Sequence, residues 1–369
     1  MEGMLMNTIA LTGSNGFLGW HTRALAHSVG STSRRIEIGA EFEISAAAIA
    51  MDDVESVIHI AGVNRGSDHE ILEGNVKFAQ QLVSALKITT SKPKRLVFAN
   101  SIQAGNGSVY GEAKAEAGRI LRVAAEELGI DFVDVLLPNL FGEHGRPFYN
   151  SVVATFCQML VDGRHPEVTE DRVLDLLHAQ DAAEVLIGQV PVSAMSELVA
   201  QRSVSELASA LAEIAATYSR GTVPAIADRF DRNLFNTYRS FLVGDKLPIQ
   251  LDRKEDSRGA FFEVVRSEHG QGQSSFSTTV PGITRGQHYH RRKIERFTVL
   301  AGSAEIAMRK LFSDEVVTYR VNGDQPVAID MPTMWSHKIT NVGSDMLYTM
   351  FWISEIYDPS SPDTFPEEV

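Results

Sequence analysis

The chain has 369 residues and a formal charge of −13, long enough for two hydrophobic cores and too acidic to be drawn to a phosphate backbone, which excludes nucleic acid as the main partner. Hydrophobic residues at 44% and charged residues at 22% give a globular composition, with no tract that argues for disorder. A single cysteine, Cys157, excludes an intrachain disulfide and a thiolate metal cluster, and the lack of a membrane-length apolar run or secretory leader makes the expected setting cytoplasmic, with no membrane partner.

Short apolar runs at 8–11, 56–60, 95–99 and 131–136 alternate with helical periodicity at 75–87, 113–128 and 204–218. That rhythm predicts βαβ units and an α/β, Rossmann-type parallel sheet. Directly after the first predicted strand comes Thr12-Gly13-Ser14-Asn15-Gly16-Phe17-Leu18-Gly19. Glycine clusters are common in ordinary turns, but in this position each one has a physical role, with a tight turn at Gly13, close approach of a pyrophosphate at Gly16, and helix-on-strand packing at Gly19. A second turn, His59-Ile60-Ala61-Gly62, falls at the same sheet edge. Tyr110 and Lys114 stand four apart at the entry to a predicted helix, on one face, where an ammonium would lower the phenol toward the working range of a general acid.

Together Gly13-x-x-Gly16-x-x-Gly19, His59-x-Ala61-Gly62, Ser101, Tyr110-Gly111-Glu112-Ala113-Lys114 and Pro138-Asn139-Leu140-Phe141-Gly142 resemble the extended short-chain dehydrogenase/reductase (SDR) family. The resemblance implies that Ser101 and Tyr110 hold the substrate oxygen, that Tyr110 passes the proton, and that Lys114 holds the nicotinamide ribose. It also puts Gly13, Gly16, Gly19, Ala61, Gly62, Lys114 and Asn139 around the cofactor. Arg34 and Arg35, without a clear acidic residue after a second strand, favour the 2′-phosphate of NADPH. Two departures stand out: the interval from serine to tyrosine is short, and Leu174-Asp175-Leu176, with Arg172 nearby, replaces the Arg-Asp-Phe run of many relatives.

Past residue 242, Gly244-Asp245-Lys246-Leu247-Pro248 breaks the periodicity, and short β-type segments follow at 260–265, 297–300, 304–309, 316–321, 327–330 and 347–353. The expected division is therefore 1–243 and 244–369, the second part all-β. It contains Gly282-x5-His288-x-His290-x4-Glu295-x6-Gly302 and Pro332-x4-His337-x3-Asn341. In a strand, residues two apart share a face, so His288 and His290 point together, and Glu295 and His337 can return from other strands. Singly, each histidine is more often a satisfied polar residue than a ligand. Three imidazoles and one carboxylate converging suit Zn2+ or another divalent metal.

This pattern resembles the paired motifs of the metal-binding cupins, a jelly-roll superfamily, except that Met334 stands where the second motif has glycine. Asp256-Ser257-Arg258-Gly259-x-Phe261-x-Glu263, Gln273 and Gly282-Ile283-Thr284-Arg285-Gly286-Gln287-His288-Tyr289 also resemble the metal-free sugar-nucleotide 3,5-epimerase branch, in which the histidine at 288 would be the base. Ligation is favoured because it accounts for His290, Glu295 and His337 at once. The proton carrier is then another group, with Tyr348, Lys293 and a metal-bound water as candidates.

Over nearly its full length, including Ala61-Gly62-Val63-Asn64-Arg65 and the tail Pro362-Asp363-Thr364, the chain resembles the CapF-type enzymes of capsular polysaccharide and O-antigen biosynthesis. That resemblance implies a bifunctional, homodimeric enzyme joined through the cupin, acting on a UDP-linked keto-sugar. The cupin would epimerise C3 of a UDP-2-acetamido-2,6-dideoxy-4-hexulose, and the reductase would then reduce C4 to the L-talose product with NADPH. Two other readings stay open: a monofunctional 4-keto-sugar reductase with a structural or dimerising cupin, and a non-catalytic nucleotide-sugar binding protein.

Overall fold

A computed structural model describes residues 8–244, 246–251, 254–256, 259–261, 264–267, 272–355 and 358–369. Ser257, Arg258 and Glu263 of the epimerase-like motif lie outside them. The chain forms two compact units, one running through Phe141 and joined by Leu174–Gln201, the other made of Gly142–Val173 and Arg202–Val369. The helices Val152–Val161, Val204–Ser219 and Arg229–Ser240 thus belong to the second unit, although they precede the change of texture at Gly244.

In the first unit, β1 (Thr8–Thr12), β2 (Thr32–Ile36), β3 (Ser56–His59), β4 (Arg95–Ser101) and β5 (Asp131–Leu137) form a parallel sheet in the order β2-β1-β3-β4-β5. Alternate residues feed two cores. Ala10, Val57, Leu96 and Phe98 pack with residues of α2 (Ile44–Met51), α3 (Asp68–Ile88) and α4 (Val109–Leu128), while Ile9, Leu11, Ile58, Val97 and Ala99 pack with α1 (Phe17–Ser28) and the helix Ala179–Ile187. This is the three-layer doubly wound arrangement, and its switch point, where strand order reverses, lies between β1 and β3. Two helices start earlier than periodicity indicates. Ser67 and Glu70 close a capping box at the start of α3, and Ser108 caps α4 through Gly111 N–H, so Tyr110 falls inside the first turn.

In the second unit, two five-stranded antiparallel sheets are present among the described residues. One runs Ile249–Gln250, Val327–Met331, Glu295–Ala301, Leu347–Ile353, Gln273–Thr279. The other runs Val316–Asn322, Ser303–Lys310, Trp335–Asn341, Thr284–Tyr289, Phe365–Pro366. This is the expected all-β sandwich. Its contacts to the preceding helical segments are specific: Arg239 Nη2 donates to the Met331 carbonyl (3.2 Å), Thr333 Oγ1 to Glu143 (2.9 Å) and Trp335 Nε1 to His144 Nε2 (3.3 Å). Arg296, paired bidentately with Asp330 at 2.7 and 3.1 Å, also donates to the Gly221 carbonyl (2.8 Å). Among the described residues, no helix is long and apolar enough to cross a membrane.

Candidate active sites

The glycine turn sits at the carboxyl end of β1, on the switch-point side. Gly13 has φ +67°, and a side chain there would meet Ala61 N at 2.8 Å; at Gly19 it would meet the Gly13 carbonyl at 2.1 Å. Only glycine fits either place, so the turn closes onto the end of β3 and opens α1 with its amides free to face an anion. Parallel register sets Thr12 beside His59. Thr12 Oγ1 hydrogen-bonds His59 Nδ1 (2.8 Å) and accepts from Ile60 N–H and Ala61 N–H (3.0 and 3.1 Å). Gly62 is followed by a loop held by buried Asn75, whose amide donates to the Val63 and Ile71 carbonyls at 2.7 Å. Thr12 and Asn75 escape sequence reasoning, because a threonine at a strand end and an asparagine inside a helical run carry no distinguishing signal there.

Ser101 ends β4, and Tyr110 and Lys114 face it from the start of α4. Burial raises the Tyr110 phenol above its ordinary value, and the neighbouring Ser101 hydroxyl offsets part of the rise. The expected lowering of the tyrosine by a neighbouring ammonium is therefore corrected. Lys114 instead donates to the Ala99 carbonyl (2.7 Å) and lies 4.1 Å from the centre of the Phe98 ring. Burial brings Lys114 down to about 7, with Asp134 opposing. Burial, and then the charge of Lys114, bring His59 down to about 3, so its imidazole is neutral.

Asn139 is exposed and donates to the Asp175 carbonyl (3.1 Å), tying it to the Leu174-Asp175-Leu176 segment, and Asp175 accepts from Gln201 (2.8 Å). Arg34 and Arg35 lie on β2, a strand that its polar sequence conceals. Arg34 donates to the Asp52 carbonyl (2.6 Å), and Arg35 pairs with Glu37 (3.0 Å).

In the second unit, the ligand atoms of His288, His290, Glu295 and His337 all lie within 4.8 Å of one another. Antiparallel register places His288 opposite His337, and Glu295 enters from the other sheet. His290 Nε2 and His337 Nε2 stand 3.1 and 3.0 Å from Glu295 Oε2. Their Nδ1 atoms turn to backbone carbonyls, of Asp363 at 2.6 Å and of Trp335 at 3.2 Å, which leaves both Nε2 atoms directed to the common centre. Burial would raise Glu295, but the two imidazoles beside it, His290 and His337, outweigh it and hold the carboxylate well below its usual range. Burial, with His337 and His290 adding to it, brings His288 down to about 4. Two oriented imidazoles, a third that stays neutral, and an ionised carboxylate make a donor set that fits Zn2+.

Met334 takes the left-handed conformation of the glycine it replaces (φ +65°) and is fully buried, with its N–H donating to the His290 carbonyl (2.8 Å). The turn before His337 is thereby preserved and tied to a second ligand. The two side chains named as proton-carrier candidates differ in their surroundings. Lys293 Nζ donates to the Pro362 carbonyl, and Tyr348 is exposed, on the opposite face of its strand from Phe351, which pairs with Phe297 against His337.

Residues 9–188 match the NAD dependent epimerase/dehydratase family, and residues 254–365 match the polysaccharide biosynthesis C-terminal domain. A Pseudomonas aeruginosa protein, UDP-2-acetamido-2,6-beta-L-arabino-hexul-4-ose reductase, is 32% identical over 97% of both chains. The crystal structure of the capsular polysaccharide assembling protein CapF from Staphylococcus aureus is 30% identical, with a TM-score of 0.61, over 98% of this chain and 100% of that one. The UDP-N-acetylglucosamine 4-epimerase of Methanobrevibacter ruminantium, 16% identical with a TM-score of 0.52, matches 65% of this chain and 99% of its own, a likeness of fold.

Proposed function

Since this chain belongs to the CapF-type family of capsular polysaccharide biosynthesis enzymes, we propose that it is a bifunctional nucleotide-sugar enzyme working on a UDP-2-acetamido-2,6-dideoxy-4-hexulose. Residues 244–369 epimerise C3, and residues 1–243 then reduce the C4 ketone to give UDP-2-acetamido-2,6-dideoxy-L-talose. The observation that carries this reading is the presence of two chemically distinct sites in one chain: a Ser101–Tyr110 pair beside a glycine turn, and four convergent metal-type donors.

The order follows from acidity. A ketone at C4 is what makes the C3 proton removable, so inversion precedes reduction. His288, His290, Glu295 and His337 would hold zinc, which supplies positive charge against the enolate that forms when that proton leaves. Glu295 would be the fourth ligand, its carboxylate 3.1 and 3.0 Å from His290 Nε2 and His337 Nε2. In the reductase, NADPH supplies the hydride. Ser101 holds the ketone oxygen and Tyr110, kept protonated by its raised pKa, delivers the proton to it. Lys114, which donates to the Ala99 carbonyl, holds the nicotinamide ribose in this reading. Arg34 and Arg35 favour NADPH over NADH.

Phe276, Val280, Ile283, Val342 and Tyr348 are exposed apolar residues of the sandwich; the Phe276 and Tyr348 rings lie 6.0 Å apart, and Ile283 N–H donates to the Val280 carbonyl (3.2 Å). We assign these residues to a homodimer joined through the cupin. A reaction that uses NADPH and a nucleotide sugar also suits a cytoplasmic setting.

Proton NMR of the product from the 4-keto substrate in D2O tests the assignment. Without NADPH, deuterium should enter at C3; with NADPH, the C3-inverted, C4-reduced sugar should appear. Reduction without any exchange would leave a monofunctional reductase.

A further inference from the structure

The tail residue Asp363 takes no part in the chemistry of either site, yet it is only 5% exposed and holds φ +44°, a conformation that side chains rarely adopt. Its main-chain carbonyl accepts from His290 Nδ1 at 2.6 Å. Its carboxylate accepts three successive backbone amides, Arg291 N–H (3.3 Å), Arg292 N–H (3.0 Å) and Lys293 N–H (3.0 Å). Those amides belong to the short loop that joins His290 to Glu295, two of the four converging residues. One tail residue therefore sets a ligand ring with its backbone and clamps the loop to the next ligand with its side chain.

The surroundings reinforce this. Lys293 Nζ donates to the Pro362 carbonyl, Arg292 donates to the Ser361 carbonyl (3.1 Å), and Phe365 pairs with Tyr289, their rings stacked 5.2 Å apart. Three amides in a row make a concave, positively polarised cradle, and a carboxylate satisfies all three together in a way that a neutral amide, with one oxygen and one donor group, does not. A donated Nδ1–H also fixes the imidazole tautomer and directs Nε2 to the centre.

We infer that Asp363 is a positioning residue of the metal centre, orienting His290 and the Arg291–Lys293 amides that lead to Glu295, so that metal affinity depends on the C-terminal tail. The inference rests on the reading of His288, His290, Glu295 and His337 as metal ligands.

The test compares full-length wild type with Asp363→Asn, which keeps side-chain size and tolerance of positive φ. Zinc affinity is measured by competition with a chromophoric chelator, and the visible spectrum is recorded after cobalt(II) loading. Roughly ten- to hundred-fold weaker zinc binding is expected, the range for outer-shell partners of metal ligands, with an altered cobalt spectrum and unchanged NADPH binding. Zinc affinity and a cobalt spectrum equal to wild type would overturn the inference. If circular dichroism shows Asp363→Asn to be unfolded, Asp363→Glu, which keeps the charge but displaces it by one methylene, is read by the same measurements, and wild-type behaviour there is equally fatal. Failure of wild type itself to bind zinc or cobalt would instead overturn the metal reading on which the inference stands.

Discussion

Replacing Lys114 with methionine should stabilise the cofactor-free protein near neutral pH while abolishing reduction. Lys114 is 4% exposed, and burial takes it from the ordinary 10.5 to about 7. Below about pH 7 the folded and unfolded chains both carry its proton, and the folded protein bears the whole cost of a buried ammonium. Between about 7 and 10.5 the unfolded chain holds a proton that the folded one lacks, so wild-type stability rises with pH. At 1.36 kcal/mol per pKa unit, and with the folded group half-protonated at about pH 7, the rise from about pH 7 to about pH 9 amounts to about 2 kcal/mol. Lys114→Met has no such titration, so its advantage should be largest near pH 6 and shrink by that amount as the pH rises. Urea unfolding followed by circular dichroism across this range measures the difference, and NADPH oxidation measures the loss of turnover. Stabilities of the two proteins that run parallel with pH would refute the argument, because burial would then not be suppressing the charge.

Gly19→Ala puts a methyl group against the Gly13 carbonyl; NADPH binding should be lost and unfolding free energy reduced by about 3 kcal/mol, as seen by fluorescence titration and urea unfolding. His290→Ala should remove bound zinc and deuterium entry at C3 while NADPH affinity persists, checked by metal analysis and NMR. Arg35→Ser should lower the NADPH-to-NADH ratio of kcat/KM by at least about tenfold, the equivalent of one charge-assisted hydrogen bond. Phe276→Glu combined with Ile283→Glu should convert a dimer into a monomer in size-exclusion chromatography with light scattering.

The parallel sheet was legible because 8–11, 56–60 and 95–99 are apolar runs buried almost throughout, while 131–136 keeps enough apolar residues to read as a strand although it lies at the sheet edge and is only partly buried. The strand carrying Arg34 and Arg35 was not, since Thr32–Ile36 lies at the sheet edge, where polar side chains meet solvent. His288 and His290 declared themselves by spacing alone, and the structure brings them within reach of Glu295 and His337. Asp363 gave no comparable signal: apart from an ion pair with Arg292 its partners are backbone groups some seventy residues away, and no side-chain pattern encodes a carbonyl. Met334 shows the converse case. Where the motif has glycine, methionine takes the left-handed conformation, held by burial and by the bond to His290.

Arg239, 1% exposed, ends on the carbonyl of Met331, and Arg296, likewise hidden, ends on that of Gly221. A break in the polypeptide near Gly244 would strand each guanidinium on the wrong fragment from its acceptor, and would part Glu143 from Thr333 as well. The place where composition shifts is thus a poor place for scissors. Any attempt to graft this barrel onto another reductase has to carry along the helical stretches 142–173 and 202–243, which makes those stretches, rather than the linker, the true unit of exchange.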